Sequence, residues 1–171
     1  MSHTLARIEM LLVEDNPPDV KLFEECLREV KFAYHLSVVN DGEAALAFLQ
    51  RHAPYTEAPR PALMLLDIHL PKQSGWEVLA WVRATPSLTS IPVVILTGVF
   101  SPFDEERIEQ LQPTRCLVKP REMEDFLRVG QAIEKVISQH NSLSLISRGQ
   151  VIRFPSSLRV PTLDLPASLP Q

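Results

Sequence analysis

Five short apolar runs, at residues 8–13, 36–39, 62–66, 91–96 and 116–118, alternate along the chain with segments of helical periodicity. Runs of this length, each followed by an amphipathic stretch, predict parallel strands covered by helices on both faces. Between the first two runs, Val20, Phe23, Leu27 and Val30 recur at helical spacing behind Pro17 and Pro18, which suit an opening turn. Glu24, Glu25, Arg28 and Glu29 form the wet face of that helix. Asp41 with Gly42 starts a second helix before Leu46, Phe48 and Leu49, and Ser74 with Gly75 starts a third before Val78, Leu79 and Val82. Trp76 and Trp81 lie five apart on that third helix, so they cannot both join its apolar stripe, and at least one is expected to be partly exposed. A shorter, more polar fourth helix is predicted over 104–111. The last, over 122–140, sets Phe126, Val129, Ile133, Val136 and Ile137 on one stripe. Pro54, Pro59 and Pro61 make the stretch before the third strand a loop.

With 171 residues, 45% of them hydrophobic, the chain can bury one complete core and little more. After residue 140 the composition turns to Ser, Pro and Leu, with Pro155, Pro161, Pro166 and Pro170 excluding a long regular element. The expected division is a domain over 1–140 and a tail over 141–171, with no separate output domain. Residues 151–154 are β-prone enough to add to a sheet edge of a partner or of a second copy, although a loosely packed tail is the plainer expectation. A formal charge of −4 and the lack of any basic run speak against nucleic acid as a partner. No apolar stretch reaches the roughly 18 residues of a membrane span, and the first strand begins too early for a signal sequence, which predicts a cytoplasmic protein with no membrane partner. Cys26 and Cys116 lie far apart in apolar company and read as reduced core residues. His3, His35, His52 and His140 have no acidic or cysteine companions at ligand spacing.

The chemistry gathers at the ends of the apolar runs. Glu14 and Asp15 end the first, Asp67 the third, Thr97 the fourth and Lys119 the fifth. In open α/β sheets, ligands meet the protein at these carboxyl ends, near the point where strand order reverses. Three carboxylates brought together repel one another unless a cation neutralises them, and Mg²⁺, which binds through a few carboxylates, water and phosphate, suits them. Phosphoryl transfer asks for an in-line nucleophile, a metal across the transferring oxygens, and groups that stabilise the remaining charge. Asp67, Mg²⁺, Thr97 and Lys119 supply those parts. A flavin protein of similar sheet order would need a loop rich in backbone donors, whereas here the first loop carries Glu14, Asp15 and Asp19, and the chain holds only five glycines. Phosphatases with an Asp-x-Asp nucleophile and acid are excluded as well, because the second neighbour of Asp67 is His69.

Through Leu-Leu-Val-Glu-Asp-Asn at 11–16, Leu-Asp-Ile-His-Leu-Pro at 66–71 with Gly75 following, Pro-Val-Val-Ile-Leu-Thr at 92–97 and Leu-Val-Lys-Pro at 117–120, the chain resembles the response regulator receiver family, CheY-like domains, over residues 8–140. The stretches 14–19 and 40–49 and the proline-rich loop before Pro61 look most like the single-domain regulators that serve bacterial phytochrome histidine kinases. The resemblance implies a flavodoxin-like (βα)5 doubly wound parallel sheet of order 2-1-3-4-5. It implies that Asp67 accepts a phosphoryl group from a sensor histidine kinase, with Asp15, Asp67 and the backbone carbonyl of His69 holding Mg²⁺ and Glu14 holding it directly or through water. Thr97 would hydrogen-bond the phosphoryl group, Lys119 would pair with its oxygens, and the Lys119–Pro120 bond would be cis. Such a protein is no enzyme beyond promoting its own phosphorylation and dephosphorylation. The alternative is a receiver-shaped binding module that signals by constitutive association.

Cys116 departs from the family's pattern, standing where an aromatic residue usually swings inward as the threonine moves. Gln112 and Pro113 replace the common Gly and Ala, and Ser101-Pro-Phe103 shortens the start of the fourth helix. A muted conformational response is therefore expected. His69 is placed either to crowd the water that hydrolyses the acyl phosphate or simply as an exposed loop residue. A homodimer through the face of the fourth and fifth helices, or through the tail, is a further expectation.

Overall fold

A computed structural model describes residues 7–121 and 123–146. The chain runs β1 (Ile8–Val13), α1 (Pro17–Arg28), β2 (Tyr34–Val39), α2 (Gly42–Gln50), β3 (Leu63–Asp67), α3 (Gly75–Ala84), β4 (Val93–Thr97), α4 (Pro102–Leu111), β5 (Arg115–Val118) and α5 (Met123–Ile146). The strands form one parallel sheet of order β2-β1-β3-β4-β5, the flavodoxin-like arrangement the motifs imply. The chain leaves β1 toward β2 on one side and re-enters beside β1 as β3 on the other. The loops after β1 and β3 therefore diverge and open a crevice over their carboxyl ends.

Period-two alternation sorts the buried strand residues between two cores. Leu11, Val13, Met64, Leu66, Val93 and Ile95 pack with Phe48, Val78, Leu79 and Val82 of α2 and α3. Met10, Leu12, Leu63, Leu65, Val94 and Leu96 face Phe23, Cys26 and Leu27 of α1 and Val129, Ile133, Val136 and Ile137 of α5. Trp76 is buried and Trp81 half-buried, as their five-residue spacing requires. Both cysteines are free thiols.

Several boundaries differ from those read in the sequence. β2 starts at Tyr34 because Ile8 of β1 pairs with it, and that pairing is invisible in local hydropathy. β4 starts at Val93, not residue 91, since Pro92 has no N–H for the ladder and offers only its carbonyl, to Met64. α4 starts at Pro102, with Ser101 as the cap and Asp104 in its first turn. α5 continues to Ile146, past the boundary expected at residue 140. The side chain of Phe126, the stretch 151–154 and His3 lie outside the described residues. Among the described residues the one cis peptide bond joins Ala53 to Pro54. The Lys119–Pro120 bond, expected cis, is therefore trans, the form an X-Pro amide favours by about 0.5–1 kcal/mol. Among the described residues no helix is long and apolar enough to cross a membrane.

Two close approaches fix the loop after β3 against the helices. A Cβ on Gly75 would lie 2.1 Å from the Asp67 carbonyl oxygen, and one on Gly42 would lie 2.2 Å from the Gln73 carbonyl oxygen. Lys72 adds an ion pair, its Nζ 2.7 Å from Oδ2 of Asp41, the residue whose other carboxylate oxygen caps α2 at the Ala44 amide. Gly75→Ala has to displace backbone next to Asp67 and is expected to destabilise the fold by about 1–3 kcal/mol. Leu65→Ala, which empties a fully buried site, should cost about 2–5 kcal/mol. Urea unfolding of both variants with an unchanged m-value checks these values.

Candidate active site

Strand ends deliver Glu14, Asp15, Asp67 and Lys119 to the crevice. β1 stops at Val13, so Glu14 and Asp15 follow directly. Glu14 is buried, with its amide donating to the Val39 carbonyl, while Asp15 is exposed. Asp67 is the last residue of β3 and only 3% exposed. Carboxylate oxygens of Glu14, Asp15 and Asp67 lie within 4.8 Å of one another. From the loop after β5, Lys119 brings its Nζ to 2.7 Å from Asp67 Oδ2, 2.7 Å from Glu14 Oε2 and 2.7 Å from Asp19 Oδ2. The backbone amide of Lys119 donates to the Thr97 carbonyl, which anchors its stem to β4.

Glu14, Asp15, Asp67 and Lys119 thus converge as their strand positions require. Thr97 is buried at the end of β4, but its hydroxyl is engaged with its own loop, donating to the Val99 carbonyl at 2.8 Å and accepting from the Val99 amide at 3.3 Å. His69 is exposed, and its backbone amide donates to Asp67 Oδ1 at 3.1 Å. In the sequence Asp19 is only one acid of the first loop, and its contact with Lys119 is not legible there. The signal available was its place just past the first-strand acids, in the first turn of α1.

Three carboxylates, Glu14, Asp19 and Asp67, share one ammonium here, with Asp15 close by. Burial raises the pKa of Glu14, and the nearby Asp67 charge adds to the effect, despite the opposing pull of Lys119. For Lys119, burial acts to lower the pKa, but the hydrogen bonds to Asp19 and Asp67 and the close ion pair with Glu14 win and hold it above the ordinary lysine value. Lys119 is therefore charged throughout the physiological range and cannot serve as a base. Glu14 Oε2 is buried and faces Lys119 in an ion pair without the alignment of a hydrogen bond, leaving an acceptor unfilled. Like charges about 4 Å apart cost on the order of 4 kcal/mol at an effective dielectric near 20. An all-oxygen donor set with excess negative charge and an open acceptor fits a hard divalent cation.

A second polar knot stands on the other side of Asp67. The indole N–H of Trp76 in α3 donates to Asp104 Oδ1 at 3.0 Å, and Asp104 Oδ2 accepts from the Ser101 amide at 2.7 Å and hydroxyl at 2.8 Å. The Arg107 guanidinium lies 6.0 Å from the Trp76 ring centroid. His69, Trp76, Val99, Asp104 and Arg107 line a cavity of about 370 Å³ between the loops after β3 and β4. Cys116 packs half-buried against the same core as Ile108 and Leu111 of α4, and burial pushes its thiol up to about 12. The link from α3 to α4 pairs residues 28 positions apart, and no local pattern announces it.

A doubly wound parallel sheet with an acidic pocket and a single lysine over its switch point is the architecture of a signalling receiver. The chain belongs to the response regulator receiver domain family, whose pattern it matches over residues 10–130. Response regulator Rcp1 of Synechocystis sp. is 41% identical over 125 residues, 73% of this chain and 85% of that protein. The crystal structure of the Mn(2+)-bound form of Rcp1 is similar with a TM-score of 0.69 at 40% identity, covering 75% of this chain and 92% of that one. The phosphorylated cyanobacterial phytochrome response regulator RcpA is similar with a TM-score of 0.70 at 34% identity, covering 76% and 93%. The kinship with phytochrome response regulators read from the motifs is borne out.

Burial acts to raise the pKa of Asp104, but hydrogen bonds from Ser101 and Trp76, with the nearby His69 charge, lower it below 3.8. A carboxyl group whose folded-state value is depressed stabilises the fold above its unfolded value and loses that contribution as pH falls through the folded one. Asp104→Asn is therefore expected to be less stable than wild type at neutral pH. The gap should close as pH drops below 3.8. Thermal melts of the two proteins between neutral and acid pH measure it.

Proposed function

We propose that this receiver domain takes a phosphoryl group from a sensor histidine kinase of the phytochrome type onto Asp67, in a reaction that needs Mg²⁺. The observation that carries it is the buried Asp67 carboxylate, with Lys119 Nζ at 2.7 Å and the Glu14 and Asp15 oxygens within 4.8 Å. An oxygen of Asp67 forms the new bond to phosphorus as the bond from phosphorus to the donor breaks. Lys119 offsets charge on the phosphoryl oxygens, and Thr97 supplies its hydroxyl once it turns from Val99. Glu14, Asp15, Asp67 and the His69 carbonyl are the groups that would hold Mg²⁺, which when bound neutralises charge across the transferring oxygens. The states of the relatives' structures, Mn(2+)-bound for Rcp1 and phosphorylated for RcpA, support this chemistry. Against constitutive association stands the cost of the site. Buried acids crowded around one lysine weaken a fold, and packing gives no reason to retain them.

Kinase-driven signalling of this kind is cytoplasmic, and two free thiols are in keeping with that compartment. Partner binding, including a homodimer, has apolar surface to use at the α4–β5–α5 side, where Phe103 is 81%, Val118 54% and Leu127 49% exposed. With Cys116 in place of an aromatic, the response of that side to phosphorylation is expected to be small. His69 at the acceptor is placed to tune hydrolysis of the acyl phosphate.

Incubation with acetyl phosphate and Mg²⁺ should add the mass of one phosphoryl group to the wild type and nothing to Asp67→Asn, and a chelator should prevent the gain. Intact mass spectrometry decides it, and an unmodified wild type rejects the proposal. Separately, Mg²⁺ at a hundred times its Kd should stabilise the wild type by about 2.7 kcal/mol. Most of that stabilisation should vanish in Asp15→Asn, as read by melting temperature against Mg²⁺ concentration.

A further inference from the structure

Asp19 is the member of the acidic cluster to which phosphoryl transfer assigns no task. An ammonium has three N–H donors, and around Lys119 three carboxylates stand at the same 2.7 Å: Glu14, Asp19 and Asp67. Two of those three, Glu14 and Asp67, also belong to the group of oxygens close enough to hold a cation, and Asp19 does not. A divalent ion and a phosphoryl group would draw on the first two, leaving Asp19 to Lys119.

We infer that Asp19 is a positioning residue that retains Lys119 Nζ beside Asp67 while Glu14 and Asp67 are engaged elsewhere, an inference that rests on the phosphoryl-transfer role of Asp67. Lysine needs such an anchor because its four-carbon stem is flexible and its ammonium is strongly hydrated. Asp19 suits the purpose. It stands in the first turn of α1, where the orphan amides of the helix favour negative charge, and Pro17 and Pro18 stiffen the backbone just before it. The Lys119 and Asp19 side chains are only 14% and 27% exposed, so water screens the pair far less than a surface ion pair.

The test compares wild type, Asp19→Asn, Asp19→Glu, Lys119→Gln and the Asp19→Asn/Lys119→Gln double variant in the full chain at saturating Mg²⁺. Asp19→Asn should accept phosphate from acetyl phosphate about 10- to 100-fold more slowly than wild type, the range usual for partners that orient a site's primary groups. Asp19→Glu should recover part of the rate, and Asp19→Asn should cost nothing further once Lys119 is Gln. Without any phosphodonor, the Lys119 ammonium resonance in ¹⁵N NMR, assigned through Lys119→Gln, should be seen in Mg²⁺-loaded wild type and lost to exchange in Asp19→Asn. Losses that simply add in the double variant, or an ammonium signal that persists in Asp19→Asn, overturn the inference. If the wild type accepts no phosphate, the acceptor role of Asp67 falls while the ammonium resonance still decides for or against Asp19.

Discussion

Among the described residues the Lys119 ammonium stands opposite the acidic cluster, and its three contacts at 2.7 Å reach the ends of β1 and β3 and the start of α1. The Coulomb balance around it governs the crevice. Without the lysine, Glu14 and Asp67 would be buried like charges with nothing opposite them, an arrangement that costs several kcal/mol. With it, the pocket still holds an excess of negative charge and an unfilled Glu14 acceptor. The pocket is therefore balanced enough to fold while keeping an all-oxygen donor set that fits a hard divalent cation.

The sheet exists in the form that makes this balance possible. Because β1 and β3 are neighbours while β2 lies beyond β1, the chain ends of β1 and β3 face an open crevice instead of a crossing loop. Close contact of Gly75 with Asp67 and of Gly42 with Gln73 removes slack from the loop after β3. Asp67 is thereby held from two sides, by the His69 amide on one oxygen and by Lys119 on the other. Such placement on a strand end, with loops packed tightly behind, fixes the direction in which the carboxylate points.

The stretch between Asp67 and α4 is arranged differently from the family's pattern. Cys116 is half-buried and neutral, and it has no ring to swing. The loop after β4 instead runs between two polar anchors, Thr97 held by Val99 at one end and Asp104 held by Trp76 and Ser101 at the other. A cavity of about 370 Å³ lies beneath it, leaving room for side chains to move. The link from Trp76 to Asp104 tethers α4 to α3 at the far end of this loop.

The alternation of apolar runs and amphipathic segments was enough to give the elements and the parallel sheet, because burial on both faces forces a continuous apolar strand and burial on one face forces a helical stripe. Acids and a lysine at strand ends were enough to place Glu14, Asp15, Asp67 and Lys119 at one edge, since in such sheets strand ends share an edge. Tertiary structure alone decided which groups touch. Asp19 meets Lys119 across 100 residues, Trp76 meets Asp104, and Thr97 turns to its own loop instead of to Asp67. Pairings of that kind depend on the angle at which helices settle on the sheet, and a helix's own periodicity records which face it buries, not what its polar residues will meet.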